Sequence, residues 1–221
     1  EKKLNEDLNS NVNYEVINGG VTGYTSYQGL NIYKYKFAKY EPDIVTFYFG
    51  INDNWARFHL NDKQIMSARA NTSDTIKKIK NYFLEKSAFY RLLTKIVLNI
   101  NIKTYKKVRR VSLEDFGKNI IEMNELCKKN GTMLLLISPL MNNDRFIKKE
   151  IRYEYPYRSI LESTAKQYNI PLLSIDRLTE RSNIPNKIFF NDDVHLNEQG
   201  HVILMEALLY YLKKYTNLGQ G

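Results

Sequence analysis

The segment from Asp192 to His201 contains residue types suited to general-base chemistry. It reads Asp-Asp-Val-His-Leu-Asn-Glu-Gln-Gly-His, with the carboxylate of Asp192 three residues before the imidazole of His195. A carboxylate in a tight turn can fix the tautomer of an imidazole and stabilise its protonated form. Taken alone, the segment is more simply interpreted as an ordinary surface turn before a helix, with Asn197 as the cap of that helix.

Two other loops contain groups that could stabilise a developing negative charge. The loop from Asn18 to Gly23 is rich in glycine, so its backbone N–H groups can approach a substrate closely. The segment Gly-Ile-Asn-Asp at 50–53 contains Asn52, whose side-chain amide can donate to an oxyanion. Each loop alone has a simpler interpretation, as a strand-to-helix turn and as an Asx-turn.

The elements that must position these loops alternate between strands and helices. Strands are predicted from runs of apolar and β-prone residues at 14–18, 43–49, 132–138 and 171–175. Helices are predicted at 27–40, 112–130, 157–168 and 197–215. This order predicts an α/β fold whose parallel sheet is covered on both faces. In such a sheet, ligand sites form at the carboxyl ends of the strands.

The single cysteine is predicted to belong to the core. Ser112 and Asp115 form a capping pair. Apolar side chains then recur at helical spacing at Phe116, Ile120, Met123 and Cys127. One cysteine cannot form an internal disulfide, and no Cys/His cluster has zinc spacing.

Positive charge is concentrated in one segment of the chain. The net charge is +9, and the segment from Arg57 to Arg110 has 14 basic residues against three acidic ones. The segment therefore carries +11 and the remaining residues −2. It includes a predicted amphipathic helix at 86–97, and it could contact an anionic membrane or an anionic glycan. A solvated helical face is the simpler alternative, and a nucleic-acid partner is not expected.

In order and spacing, the three loops closely resemble blocks two, three and five of the SGNH, or GDSL-type, hydrolases. The matching residues are Gly23 in an Asn-x-Gly-x-x-Gly loop, Gly-x-Asn-Asp at 50–53, and the segment 192–201. The resemblance covers nearly the whole chain, with 57–110 as an atypical basic helical insertion. It implies one domain over 1–221, a three-layer α/β/α sandwich with a flavodoxin-like sheet of order 2-1-3-4-5. It also implies hydrolysis or transfer of an acyl group from an ester.

The resemblance gives roles to four residues. His195 would be the base that activates a serine, and Asp192 would orient it. The backbone N–H of Gly23 and the amide of Asn52 would form two arms of an oxyanion hole. No metal and no organic cofactor is implied. The expected substrate is a small-molecule, glycan or lipid ester. The location is left open by the sequence, with a bacterial cell envelope or secreted protein favoured.

The family's first block, Gly-Asp-Ser, is missing from the chain. That block supplies the nucleophile and a third oxyanion donor at the end of the first strand. Because 1–8 resembles the end of the following helix, the nucleophile is expected upstream of Glu1. Ser26 is predicted outside any strand-end elbow, and Ser138 precedes Pro139 at the end of a different strand, so neither is expected to replace it. The chain taken literally is therefore predicted to have no esterase turnover.

Several alternatives stay open at this point. A polysaccharide O-acetyltransferase of the same fold is a near neighbour, and a non-catalytic binding module that lost its serine is a different class. Asp53 and Asn54 are predicted to shape the turn that presents Asn52. Trp55 could line a pocket or lie in the core, and His201 is predicted to cap or pack in the last helix.

Overall fold

The computed structural model describes residues 1–7, 13–58, 60–71, 87–88, 107–139, 156–175, 189–192 and 195–215. Its strands are Ile44–Phe47 (β1), Ala56–Phe58 (β2), Lys107–Arg109 (β3), Met133–Ser138 (β4) and Leu172–Ser174 (β5). The described helices are Lys2–Asp7 (α1), Ser26–Ile32 (α2), Ile51–Asn54 (α3), Asp62–Ala70 (α4), Leu113–Lys129 (α5), Pro156–Tyr168 (α6) and Glu198–Tyr215 (α7).

The central sheet is parallel and has the order β1-β4-β5. Phe47 lies opposite Leu136 in the register of the first pair, and Ile137 lies opposite Leu173 in the second. The five residues from Leu134 to Ser138 are all buried, because β4 is paired on both sides and covered on both faces. The order corresponds to strands 3-4-5 of the predicted flavodoxin-like sheet.

Helices cover both faces of the sheet, which confirms the three-layer α/β fold. Side chains alternate along β4, so Leu134 and Leu136 enter one core while Leu135 and Ile137 enter the other. Helices α2, α5 and α6 fill the first core, and α7 fills the second through Ala207. No helix in the described part of the chain is both long and apolar enough to cross a bilayer.

Helix α5 follows the sequence prediction closely. Its first turn is capped by Ser112, whose Oγ accepts a hydrogen bond from the Asp115 N–H at 3.0 Å. The residues predicted to face the core are all buried: Phe116, Ile120, Met123 and Cys127. Beyond the helix, Gly131 has φ +69°, a conformation that favours glycine and ends the helix. The prediction of Cys127 as a core residue is confirmed.

The strand predicted at 14–18 is wrong. The backbone N–H of Tyr14 donates to Oδ1 of Asn5 at 2.7 Å, and Nδ2 of Asn5 donates to the Tyr14 carbonyl at 2.9 Å. The Val16 N–H donates to the Glu1 carboxylate at 3.1 Å. Side chains at the start of the chain therefore bond to backbone groups of 14–18 that would pair with a neighbouring strand if this segment were a strand. Within the described residues, β1 pairs with β4 alone.

The other predicted strand and helix boundaries differ only slightly from the observed ones, except at the end of the helix predicted at 27–40. The helix predicted at 27–40 is α2 followed by a π-helical turn at Tyr33–Phe37 and a 3₁₀ turn at Ala38–Tyr40. The basic insertion is closed at its base by an antiparallel pair in which Phe58 lies opposite Lys107. The predicted helix at 86–97 lies almost wholly outside the described residues.

Candidate active site

The glycine loop turns sharply just before α2. The N–H of Tyr24 donates to the Val21 carbonyl at 3.1 Å, which closes the turn. Gly23 has φ +77°, and a Cβ built there would meet no atom within 4 Å. The backbone conformation therefore favours glycine at this position, although space for a side chain is available.

Asn52 connects the glycine loop to the end of β1. It lies in the short helix α3, which Gly50 starts with φ +124°. Its side-chain Nδ2 donates to the carbonyl of Tyr24 at 3.0 Å. An amide nitrogen carries two N–H groups, so the same side chain can still donate one to a developing oxyanion. The structure thus brings two of the predicted site residues, Asn52 and Gly23, to one loop junction.

Asp53 joins the same two segments from the buried side. Its carboxylate is fully buried and accepts hydrogen bonds from the Ser26 N–H at 3.0 Å, the Ser26 hydroxyl, and the Gly50 N–H at 3.1 Å. The Ser26 hydroxyl in turn accepts from Nδ2 of Asn119 at 2.9 Å. The sequence predicts only a turn-shaping role for Asp53 and none for Asn119, which is 66 residues along the chain from it. A buried bridge of this kind leaves no local sequence signal.

Burial raises the pKa of the Asp53 carboxyl from 3.8 to about 6, against the opposing effect of the hydrogen bonds from Ser26 and Gly50. The folded chain therefore holds this proton more tightly than the unfolded chain. Between pH 4 and pH 6, the unfolded state has lost the proton and the folded state still binds it, so stability falls as pH rises. Above pH 6, ionisation of Asp53 costs about 3 kcal/mol of unfolding free energy.

We expect this effect in a comparison of the wild type with Asp53→Asn, whose amide does not titrate. Urea unfolding at pH 4 and pH 7 should show that the wild type loses about 2 kcal/mol more than the variant over that interval, since the unfolded carboxyl is already partly ionised at pH 4. A ¹³C titration of the carboxyl group checks the same point without a substitution, with a midpoint near pH 6. Parallel stability profiles and a midpoint near pH 4 would contradict it.

The second half of the site is a short hairpin that carries His195. Nδ1 of His195 lies 2.6 Å from Oδ2 of Asp192, and its backbone N–H donates to Oδ1 at 2.8 Å. Their side chains are 73% and 51% exposed, so the pair contributes little to stability. In the tautomer that donates from Nδ1, Nε2 has the free lone pair that a general base uses.

The hairpin is anchored by the residues that precede Asp192 and follow His195. Phe190 and Leu196 form an antiparallel bridge, and both side chains are buried in the second core. Asn197 caps α7, since its Oδ1 accepts from the Gly200 N–H at 2.9 Å. The same core contains Ile137 near the end of β4 and Ile175 just after β5. The hairpin therefore lies at the carboxyl edge of the sheet, where Asn52 also follows β1.

Several other predictions can be compared with the structure. Ser26 and Ser138 are 0% and 1% exposed, which agrees with their rejection as nucleophiles. Trp55 is 62% exposed, so the core alternative for it is wrong. His201 lies in the last helix, in the first turn of α7, and its side chain is exposed. His59 lies outside the described residues.

Comparison with known proteins identifies the family and shows the fold. The model of the GDSL-like lipase/acylhydrolase family matches residues 2–203. An acetyl xylan esterase, AlAXEase, has a similar structure with a TM-score of 0.58, at 15% identity over 90% of this chain and 81% of that chain. A GDSL-like lipase from Bacteroides thetaiotaomicron gives 0.52, at 20% identity over 88% and 74%. The acetylxylan esterase Axe2 from Geobacillus stearothermophilus gives 0.54, at 17% identity over 88% and 70%. No curated protein matches the chain.

The fold and the family match together define the class. An α/β sandwich with a parallel sheet is the architecture shared with these esterases and lipases. The chain belongs to the GDSL-like lipase/acylhydrolase family. Membership supports ester hydrolysis in general, and the roles of His195, Asp192, Gly23 and Asn52 remain predictions.

Proposed function

We propose that the protein hydrolyses acyl or acetyl esters through a serine nucleophile that lies outside these 221 residues. The observation that carries the proposal is the arrangement at one edge of the sheet. There, the imidazole of His195 is bonded to Asp192 beside the second core. Asn52 and Gly23, the proposed oxyanion donors, meet at the loop junction after β1. A general base and an oxyanion hole are the two parts that serine-dependent acyl transfer requires besides the nucleophile.

Each residue has a defined role in the proposed reaction. Nε2 of His195 removes the proton of the serine hydroxyl as its oxygen attacks the ester carbonyl, and Asp192 stabilises the resulting imidazolium. The carbonyl oxygen becomes negative and accepts from the Gly23 N–H and the Asn52 amide. The imidazolium then protonates the departing alcohol. Water repeats the sequence on the acyl-serine, releasing the carboxylic acid and restoring the serine.

The test is hydrolysis of p-nitrophenyl acetate by the protein extended upstream of Glu1 to include its first strand, with an oligosaccharide present or absent. Release of acetate with labelling by a serine-reactive fluorophosphonate supports hydrolysis. Acetyl transfer to the oligosaccharide would instead identify a transferase. A protein with no serine in that upstream segment and no turnover would be a binding module, and the proposal would be wrong.

For the alcohol part of the substrate, we propose a sugar. Two structural neighbours are acetyl xylan esterases. Trp55 lies three residues after Asn52 and exposes 62% of its surface beside the proposed site. Its backbone is held on both sides, because its N–H donates to the Asn52 carbonyl at 3.3 Å and its carbonyl accepts from the Arg110 N–H at 3.0 Å. An exposed ring on a fixed backbone is suited to stacking against a pyranose.

We therefore expect Trp55→Ala to raise KM for an acetylated xylo-oligosaccharide about 3- to 10-fold, with little change for p-nitrophenyl acetate. The matched control is Tyr35→Ala, which removes a 77% exposed ring from the turn after α2. Steady-state kinetics on both substrates check this prediction. An equal effect of Trp55→Ala on both substrates would exclude the stacking role.

A further inference from the structure

We propose that Arg110, held by Asp62, is a positioning residue that fixes the glycine loop in the conformation of an oxyanion hole. The inference rests on the proposed function for its catalytic consequence. Its structural part concerns only how the loop is held. Both residues lie at the base of the basic insertion, and neither is identified by the sequence patterns that mark the site.

Arg110 and Asp62 form a forked and buried ion pair. Nη2 of Arg110 donates to Oδ2 of Asp62 at 2.9 Å, and Nε donates to the same oxygen at 3.2 Å and to Oδ1 at 3.4 Å. Their side chains are only 12% and 3% exposed. Multiple donation from a planar guanidinium fixes its orientation as well as its position.

The oriented guanidinium donates hydrogen bonds directly to the loop. Its Nη1 donates to the carbonyl of Gly23 at 2.8 Å, and its Nη2 also donates to Oε1 of Gln28 at 3.0 Å. That same Oε1 accepts from the backbone N–H of Thr25 at 3.1 Å, and the Thr25 hydroxyl donates to Asp62 at 2.9 Å. The ion pair therefore contacts the chain on both sides of Tyr24.

Glycine is the residue that most needs such restraint. Gly23 has no side chain to limit its two dihedral angles, and it sits at φ +77°. Arg110 holds its carbonyl and Asn52 holds the next carbonyl, that of Tyr24. Two consecutive peptide carbonyls are thus fixed by side chains from different segments. The Tyr24 N–H bond to the Val21 carbonyl at 3.1 Å closes the turn before them, so the peptide that carries the Gly23 N–H lies between restrained groups on both sides.

The pair also connects the insertion to the loop. The backbone N–H of Asp62 donates to the Arg110 carbonyl at 2.8 Å, so the two ends of the insertion are joined where the ion pair forms. Asp62 begins α4 after β2, and Arg110 follows β3 directly. The base of the insertion and the candidate oxyanion loop consequently form one hydrogen-bonded unit.

The test combines amide hydrogen exchange on the 221-residue chain with kinetics on the protein extended upstream to its serine. The main variant is Arg110→Gln combined with Asp62→Asn, which removes both charges without leaving one buried and unpaired. Arg110→Lys keeps the charge and loses the fork. The control is Lys118→Gln, which breaks an exposed pair with Glu114 on α5. Thermal unfolding monitors folding of every variant.

We expect the amides of Tyr24 and Thr25 to exchange at least about tenfold faster in the double variant, with Phe116 in α5 unchanged. On p-nitrophenyl acetate, kcat should fall about 10²-fold with KM nearly constant, because a displacement near 1 Å has that cost. Arg110→Lys should have exchange rates and a kcat between those of the double variant and the wild type. Lys118→Gln should have wild-type values of both.

The possible results separate the two proposals. Wild-type exchange at Tyr24 and Thr25 in a folded double variant would overturn the positioning role, as would an unchanged kcat in an active protein. Faster exchange in the variant, together with no turnover by the extended wild type, would support positioning and reject the proposed function.

Discussion

Replacing His195 with alanine in the protein that includes its serine is expected to lower kcat for p-nitrophenyl acetate by about 10⁴- to 10⁶-fold. The variant lacks Nε2, the atom proposed to take the serine proton as the hydroxyl attacks. The KM should change little, because His195 is 73% exposed and is not assigned to substrate binding. Pre-steady-state and steady-state release of p-nitrophenolate measure the effect.

The chain offers a matched control in its only other described histidine. His201 is also exposed, and it lies six residues later in the first turn of α7. His201→Ala should retain near-wild-type turnover. Asp192→Asn adds a graded test, since it keeps the shape of the carboxylate but favours the wrong tautomer of His195 and should lower kcat less than His195→Ala. Unchanged turnover in His195→Ala would remove it as the base.

The second large effect is expected for Asn52→Ala, at about 10²- to 10³-fold in kcat. The amide donates to an oxyanion that exists only in the transition state, so KM should stay nearly constant. Part of the loss has a structural origin, because the bond from Asn52 to the Tyr24 carbonyl at 3.0 Å also disappears. Steady-state kinetics with p-nitrophenyl acetate give both parameters.

Asn31 is a matched control for Asn52, because it shows what the loss of an asparagine bond to a backbone carbonyl costs away from the site. Nδ2 of Asn31 also donates to a backbone carbonyl, that of Tyr27 at 2.7 Å, within α2. Asn31→Ala should therefore lower stability by roughly 1 kcal/mol and leave kcat near the wild-type value. Equal kcat values for the two variants would contradict the oxyanion role of Asn52.

The sequence predicts best those features that depend on local pattern. The buried strand β4 and the core face of α5 follow from continuous apolar residues and from 3.6-residue spacing. The contacts between Asp192 and His195 also follow, because three residues of separation let the carboxylate reach both the ring and the backbone N–H. These features need no knowledge of distant parts of the chain.

Features that depend on distant partners could not be predicted in this way. The segment 14–18 is β-prone, but strand formation requires a neighbour, and its backbone bonds instead go to Asn5 and Glu1. Arg110 is 87 residues from Gly23 in the sequence and looks like one more cation in a basic segment. Its contact with the loop follows from the pairing of β2 with β3, which no local pattern specifies.

The short ladder between β2 and β3 has a consequence for variation in chain length. Phe58 and Lys107 are already paired across it, so the ends of the intervening segment keep their separation whatever its length. The entropy of closing such a loop grows with the logarithm of its length, and each doubling costs only about 0.6 kcal/mol. Insertions and deletions between the end of α4 and Lys107, which leave Asp62 in place, are therefore inexpensive. Evolution, or an engineer, can exchange that stretch for another while Asp62, Arg110 and the candidate site stay the same.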